Sequence, residues 1–384
     1  MYPILSRLVR SCFLLLLTSI FLAACSSSET ADSGTGTGTG TGTVTAIETG
    51  DVTLLITDAP TSAYDEINVI AESVSLIGEG PEAPLMKRPA RFNLLDLRNT
   101  FRKLSKAKAR VGTYSKVRFK IRDVELVKRY PEGHPLYPNG HIERVIARLK
   151  KNEIDLNART QFAVDRLRQL IVKLDLDADK SLSTDPVTNE PVFNPDATVE
   201  VDSVPTDTEV PPQEVTPVLM NEQGVVRNLL TDSFQLCDPD LLDDCVQVNV
   251  SQDTVLMNSL LQVTGIDNIA ANTEVQVFGH LDVTTDAINA LHVLQDSSRL
   301  NTYTGTFSGA VVDNAIDFSV TAGAQAGSTY SVALASLPGI YDSAGNVLDV
   351  SALGDGVNAE VIGILNTFPP PASITPGVII ISTP

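Results

Sequence analysis

The chain has 384 residues, enough for two or three domains with cores of their own. Hydrophobic residues at 43% and charged residues at 20% fit folded protein, while 24 glycines, 22 prolines and no tryptophan point to short strands and many turns. A net charge of −19 argues against a simple nucleic-acid binder, which should be basic.

Arg7 and Arg10 precede an apolar run from Cys12 to Ala24, the length of a signal-peptide core and short for a membrane-spanning helix. The run ends in Leu22-Ala23-Ala24-Cys25, with Ser26, Ser27 and Ser28 behind it. This order resembles the lipobox of bacterial lipoproteins. The resemblance implies that residues 1–25 are a signal peptide, that Cys25 is lipidated, and that the chain sits in the cell envelope. Ser26 stands where a retained lipoprotein carries Asp, which favours the outer membrane. Each buried methylene contributes about 0.8 kcal/mol, so several acyl chains hold firmly. Residues 26–49 then carry five Gly-Thr dipeptides between Gly34 and Thr43 and read as a flexible tether.

Charge is segregated. Residues 26–85 hold ten acids and no Lys or Arg, residues 86–180 hold 24 bases against 11 acids, and residues 181–384 hold two bases against 26 acids. The basic stretch Arg98, Arg102, Lys103, Lys106, Lys108 and Arg110 allows three readings: docking against the chain's own acidic flanks or a second copy, attraction of acidic glycans or an envelope protein, or a solvated face.

From Gly50 the pattern has period two. Val52, Leu54 and Ile56 alternate with other residues, as do Ile67, Val69 and Ala71, then Val117, Phe119 and Ile121, and finally Leu170, Val172, Leu174, Leu176 and Ala178. Such alternation predicts strands with one buried face. Arg98–Arg110, Glu143–Lys151 and Ala163–Leu170 have helical composition instead. Asp58-Ala59-Pro60 ends the first strand: Pro60 fixes its own φ, and Asp58 is expected to accept from amides just beyond it.

Thr57-Asp58-Ala59-Pro60, Tyr64-Asp65, Leu94-Leu95-Asp96-Leu97, Gly112-Thr113-Tyr114 with Arg118, and Leu174 to Ser181 come in an order that resembles the domain-of-unknown-function 4382 family. The resemblance covers residues 50–204. It implies a β-rich, sandwich-like extracytoplasmic domain with no established activity.

Asp175, Asp177 and Asp179 open like a calcium loop, but Lys180 replaces the required Gly and Pro186 the bidentate Glu. As a strand they share one face opposite Leu174, Leu176 and Ala178, with Lys or Arg as the favoured partners and Ca2+ as the alternative. No other cofactor is expected.

Residues 205–221, with Pro205, Pro211, Pro212 and Pro217, read as a stiff acidic linker. Short strands return in 222–298 and again in 299–384, the latter ending in a Pro-rich tail. Glu274-Val275-Gln276-Val277-Phe278-Gly279 and Glu360-Val361-Ile362-Gly363 occupy similar places in the two sets, the mark of a duplication. The first set resembles the small domain-of-unknown-function 5666 family, which implies five-stranded, OB-like barrels. Cys237 and Cys245 are the cysteines left for a disulfide, which would contribute about 2.5 kcal/mol on the chain-entropy model. The acidic loop between them reads as a solvated hairpin tip, with a calcium site as the alternative.

The chain carries no His-Glu-x-x-His, no Gly-x-Ser-x-Gly and no P-loop, and its histidines are His134, His141, His280 and His292. The expectation is an all-β, lipid-anchored envelope protein that binds or scaffolds rather than catalyses. The alternatives are a calcium- or glycan-binding module and a hydrolase whose acid pair forms only in the fold.

Overall fold

A computed structural model describes residues 47–59, 64–205, 218–239, 245–323, 325–336, 338–368 and 370–382, with the side chains of Ala59 and 131–134 excepted. The leader, Cys25, the tether and Pro60 therefore lie outside the described residues, as do 206–217 of the expected linker. Nearly all regular structure is strand, and the single described α-helix is one turn, Ala178–Ser181.

The first domain is a two-layer sandwich. In one layer Thr49–Ala59 lies between Arg168–Asp177, parallel to it, and Arg102–Arg110, antiparallel; Ala197–Pro205 closes the other edge. In the second layer Glu66–Gly78 pairs with the 23-residue strand Gly112–His134, which also pairs with Tyr137–Ile146 and Glu153–Val164. The alternating residues of the sequence meet between the layers: Val52, Leu54, Ile56, Val69, Phe119 and Leu174 are all fully buried in one cluster. Each such side chain contributes about 1.5–3 kcal/mol relative to exposure.

The three expected helices are absent. Arg102–Arg110 is a strand because its backbone completes the sheet beside Thr49–Ile56, with Leu104 and Ala109 inward and the long basic side chains outward. Residues 143–151 become the end of strand Tyr137–Ile146 and the short strand Arg148–Leu149, and 163–170 forms the end of one strand, a turn and the start of the next. Sheet pairing overrides helix propensity at all three places.

Two five-stranded barrels follow. In the first, Leu219–Arg227, Ser233–Cys237, Cys245–Asn249, Ala287–Gln295 and Glu274–Asp282 hydrogen-bond in a closed ring. In the second, Asn301–Val312, Ala315–Val320, Thr329–Ala333, Ser373–Ile381 and Asn358–Asn366 close in the same order, again with the third strand parallel to the fifth. The OB-like expectation is met twice. Two boundaries shift: strand begins at Leu219, inside the expected linker, and the expected C-terminal tail supplies the second barrel's last strand.

In both barrels the fourth strand breaks register at glycine, between Phe278 and Gly279 and between Ile362 and Gly363. A Cβ would lie 2.4 Å from the Asn289 carbonyl oxygen at Gly279 and 2.3 Å from that of Thr375 at Gly363. The backbones approach closely enough to require glycine.

The three bodies pack as one unit, Ile47–Pro384. Leu55, Ile171 and Val204 of the sandwich share a core with Met220 of the first barrel. Phe278 and Leu294 of that barrel share another with Ile362, Val378 and Ile380 of the second. The Phe101 amide donates to the Leu219 carbonyl at 2.8 Å, and the Asn221 amide to the Phe101 carbonyl at 2.8 Å, tying the sandwich to the first barrel strand.

Candidate functional site

Where the three bodies meet they enclose a cleft of about 680 Å3. Its floor is the loop after strand Ala90–Asn93. Asn93 caps the 3-10 turn Leu94–Leu97 by accepting from the Leu95 amide, and its Oδ1 also accepts from the Ile67 amide across the sheet. This double use fixes the direction in which Asp96 and Arg98 leave the sandwich. The first barrel contributes Asn221, Gln223 and Gln276, and the second contributes Tyr303, Thr304 and Gln325.

Beneath the cleft lies a buried charge cluster shared by two bodies. Arg98 is 4% exposed and donates through Nη1 to the Thr304 hydroxyl of the second barrel. Around it stand Asp58, Asp96 and Glu360. Burial pushes Asp58 and Glu360 up to about 8, with Arg98 acting in the opposite direction. Burial likewise raises Asp96 to about 6. Burial thus favours the protonated forms of Asp58 and Glu360 at neutral pH, while Arg102 and Arg98 both favour the charged form of Asp96. Asp58 Oδ1 accepts from the Ala178 amide at 3.0 Å, while Asp58 Oδ2 and Glu360 Oε1 have no hydrogen-bond partner among the described residues.

The residues just beyond the Asp-Ala-Pro motif, where a local turn was expected, lie outside the described residues; what is described is a long-range role for Asp58. Its described acceptor role ties the end of the first strand to the helical turn 120 residues later. Parallel pairing of Thr49–Ala59 with Arg168–Asp177 brings the two ends together.

The basic stretch is used largely inside the molecule. Beyond Arg98, Arg102 Nε lies 3.5 Å from Glu222 and Nη2 3.8 Å from Asp238; Lys103 Nζ lies 2.7 Å from Asp286, and its amide donates to Glu222 at 2.5 Å. Lys108 pairs with Asp51 at 2.8 Å. Lys106 and Arg110 carry no ion pair among the described residues. Arg102 and Lys103 thus dock against the chain's own acidic flank. Charge counting found it; the identity of the partners, which depends on barrel topology, was beyond the sequence.

The three aspartates do not share one face. Asp175 and Asp177 end a strand, and Asp179 lies in the helical turn. Asp177 caps that turn by accepting from the Lys180 amide at 2.9 Å and pairs with Lys180 Nζ at 2.6 Å. The hydrogen bond from Lys180 holds its carboxyl below the ordinary range. Among the described residues no three His, Cys, Asp or Glu side chains come together to hold a metal ion. Cys237 and Cys245 are disulfide-bonded across the second and third barrel strands; residues 240–244 of their acidic loop lie outside the described residues.

Two further clusters involve aromatic side chains. The tip of the hairpin Gly112–His134/Tyr137–Ile146 carries a cluster of rings: Tyr130 and Tyr137 have centroids 4.6 Å apart, and Tyr137 and His141 4.5 Å. His141 lies within strand Tyr137–Ile146. His292 Nδ1 meets the Tyr341 hydroxyl at 2.5 Å between the barrels, where burial pushes the imidazole down to about 4.

Residues 49–195 match a family model described as a domain of unknown function, DUF4382. The match covers the sandwich up to its last strand and leaves both barrels outside. No curated protein matches the chain. No solved structure matches it.

Proposed function

We propose that this is a lipid-anchored cell-envelope protein that binds a polar ligand in the three-body cleft and performs no chemistry on it. The observation that carries the reading is the cleft itself. Its volume lies within the roughly 300–1,000 Å3 of small-molecule sites, and convergent polar groups from three rigid bodies line it. Its carboxylates are occupied structurally, Asp65 by the Arg129 amide, which donates to it at 2.6 Å. Glu66 is raised by burial, but hydrogen bonds from Asn68 and Arg129 outweigh that effect and hold it below the ordinary range. Asp96 neighbours Arg98. Neither stands as a free acid–base pair.

The order of Arg7, Arg10, the apolar run and Leu22-Ala23-Ala24-Cys25 supports anchoring through Cys25 in the outer membrane, and the Gly-Thr tether would hold the cleft clear of the lipid. The five-stranded closure of the first barrel supports kinship with the domain-of-unknown-function 5666 family.

Two measurements test this. Cys25→Ser should abolish labelling by a fatty-acid probe and release the chain from membranes; retention without label rejects the anchor. A thermal-shift screen of the full chain in detergent, against sugars, amino acids and nucleotides, should find compounds that raise the melting temperature. Gln223→Arg, which places a long cation in the cleft, should cancel that rise. Hits insensitive to Gln223→Arg, or a screen with none, reject the cleft as the binding site.

A further inference from the structure

We infer that the cleft takes a neutral oligosaccharide and that the sugar chain runs out of it along the aromatic tip of the Gly112–Ile146 hairpin. This rests on the cleft reading above and adds the ligand class and a second contact region.

The charge balance of the cleft selects the class. Four arginines, Arg91, Arg98, Arg102 and Arg129, line it with Asp65, Glu66 and Asp96. Arg129 is bonded to Glu66, Arg91 lies 2.9 Å from Glu125, and Arg102 pairs with Glu222. With these cations engaged by carboxylates, the field is weak for a polyphosphate or a polyanion. The rest of the polar lining is amides and hydroxyls, Gln223, Ser298, Asn301, Thr302 and Gln325, of which Ser298, Asn301 and Gln325 each spend one hydrogen bond inside the protein and keep further donors or acceptors. A neutral ligand dense in hydroxyl groups matches that lining.

The hairpin supplies the exit. Glu66–Gly78 pairs with the long strand from Tyr114 to Val127, so among the described residues Lys128–His134 has its strand pairing with Tyr137–Glu143, and Arg129 is also tied back, to Asp65 and Glu66. Two strands by themselves are marginally stable. Tyr130 faces His141, and position 134 faces Tyr137, so Tyr130, Tyr137 and His141 share one face. Tyr130 also lines the cleft, which makes the ring cluster continuous with it. In a chain with 8 tyrosines and no tryptophan, this concentration lies on an outlying arm. Ring faces and edges there can pack against the apolar C–H faces of pyranose rings, while the cleft binds the hydroxyls.

The test is calorimetric titration of the full chain in detergent with cellobiose, chitobiose and maltose and with the corresponding hexaoses. One series should bind, its hexaose at least tenfold tighter than its disaccharide. Tyr137→Ala should remove the tenfold gain. Ile142→Ala, on the opposite face of the same hairpin, should retain it, and both variants should keep the wild-type melting temperature of the main transition. Equal affinities for disaccharide and hexaose, or a gain that survives Tyr137→Ala, overturn the hairpin contact and leave the cleft reading intact. Failure of every sugar to bind, while the thermal-shift screen yields a hit cancelled by Gln223→Arg, overturns the saccharide class alone. A thermal-shift screen without a hit cancelled by Gln223→Arg rejects the cleft itself, and this inference with it.

Discussion

Gln276 and Glu360 occupy the same position in two topologically identical barrels, three residues before the fourth-strand glycine, and each is 2% exposed. Their cross-strand partners on the first strands, Gln223 and Thr304, are equivalent too. Both barrels turn this buried polar position towards the same sandwich loop. Gln276 donates to Asn221 at 2.8 Å, and Asn221 donates to the Asp96 carbonyl at 2.7 Å. Glu360 interacts with Arg98 and Asp96. One neutral and one ionisable copy of a duplicated contact thus hold the two barrels against one loop.

Replacing Glu360 by the residue type its counterpart carries changes the pH response. Asp58 and Glu360 titrate near 8 in the folded chain and near 4 when unfolded. The folded state therefore keeps protons that the unfolded state has lost. Their contribution is complete below the unfolded value and is lost as pH rises towards 8. Each group accounts for at most about 1.4 kcal/mol per pH unit. His292, held near 4 against an ordinary 6.5, has the opposite slope below 6.5, so the window from 6.5 to 8 isolates the carboxyls. The melting temperature should fall across that window. Glu360→Gln should reduce the fall and melt above wild type at pH 8. A parallel profile in the variant would contradict the buried cluster.

Arg98→Met tests the cation at the centre of that cluster. Breaking a buried ionic network by removing one member typically costs about 3–5 kcal/mol. Denaturant unfolding should show a loss of that order, and limited proteolysis should cut faster between sandwich and second barrel. Arg98→Lys should not restore stability, because a single ammonium cannot reproduce the guanidinium's spread of donors. Full rescue by Lys would show that charge alone matters there.

The sequence made the buried strand faces legible, because period-two alternation follows directly from one-sided burial, as Val52, Leu54 and Ile56 show. It also carried the disulfide and the barrel duplication. It misled at Arg102–Arg110, where long cationic side chains look helical but reach across to Glu222, Asp238 and Asp286. It hid the closing strand Ser373–Ile381 behind prolines that cluster at its edge and bulge. The cleft was least legible of all. Its walls come from three bodies, and Asp96, Asn221 and Thr304 are ordinary residues until topology brings them together.

The disulfide Cys237–Cys245 joins neighbouring strands of the first barrel and closes a short loop. On the chain-entropy account, losing it costs about 2–3 kcal/mol. The double variant Cys237→Ser, Cys245→Ser should lower the melting temperature by several degrees while leaving the second barrel's contacts in place. Wild type under reducing conditions should show the same shift. An unchanged midpoint would place the stabilising burden elsewhere in the barrel.

The interface between strand Arg102–Arg110 and the first barrel can be apportioned by charge reversal. Lys103 and Asp286 are 2.7 Å apart and have side chains 12% and 26% exposed, so solvent screens the pair only in part. Lys103→Glu alone sets two carboxylates against each other beside Glu222, and Asp286→Lys alone sets two ammonium groups together. Each single variant should lose stability, by about 1–3 kcal/mol. The double reversal restores opposite charges at the same separation but leaves the introduced carboxylate near Glu222, so recovery should be partial, with a coupling energy of about 1 kcal/mol. Raising the salt concentration should shrink the coupling. Strictly additive effects of the two reversals would remove this pair from the forces that dock the basic strand on the acidic barrel.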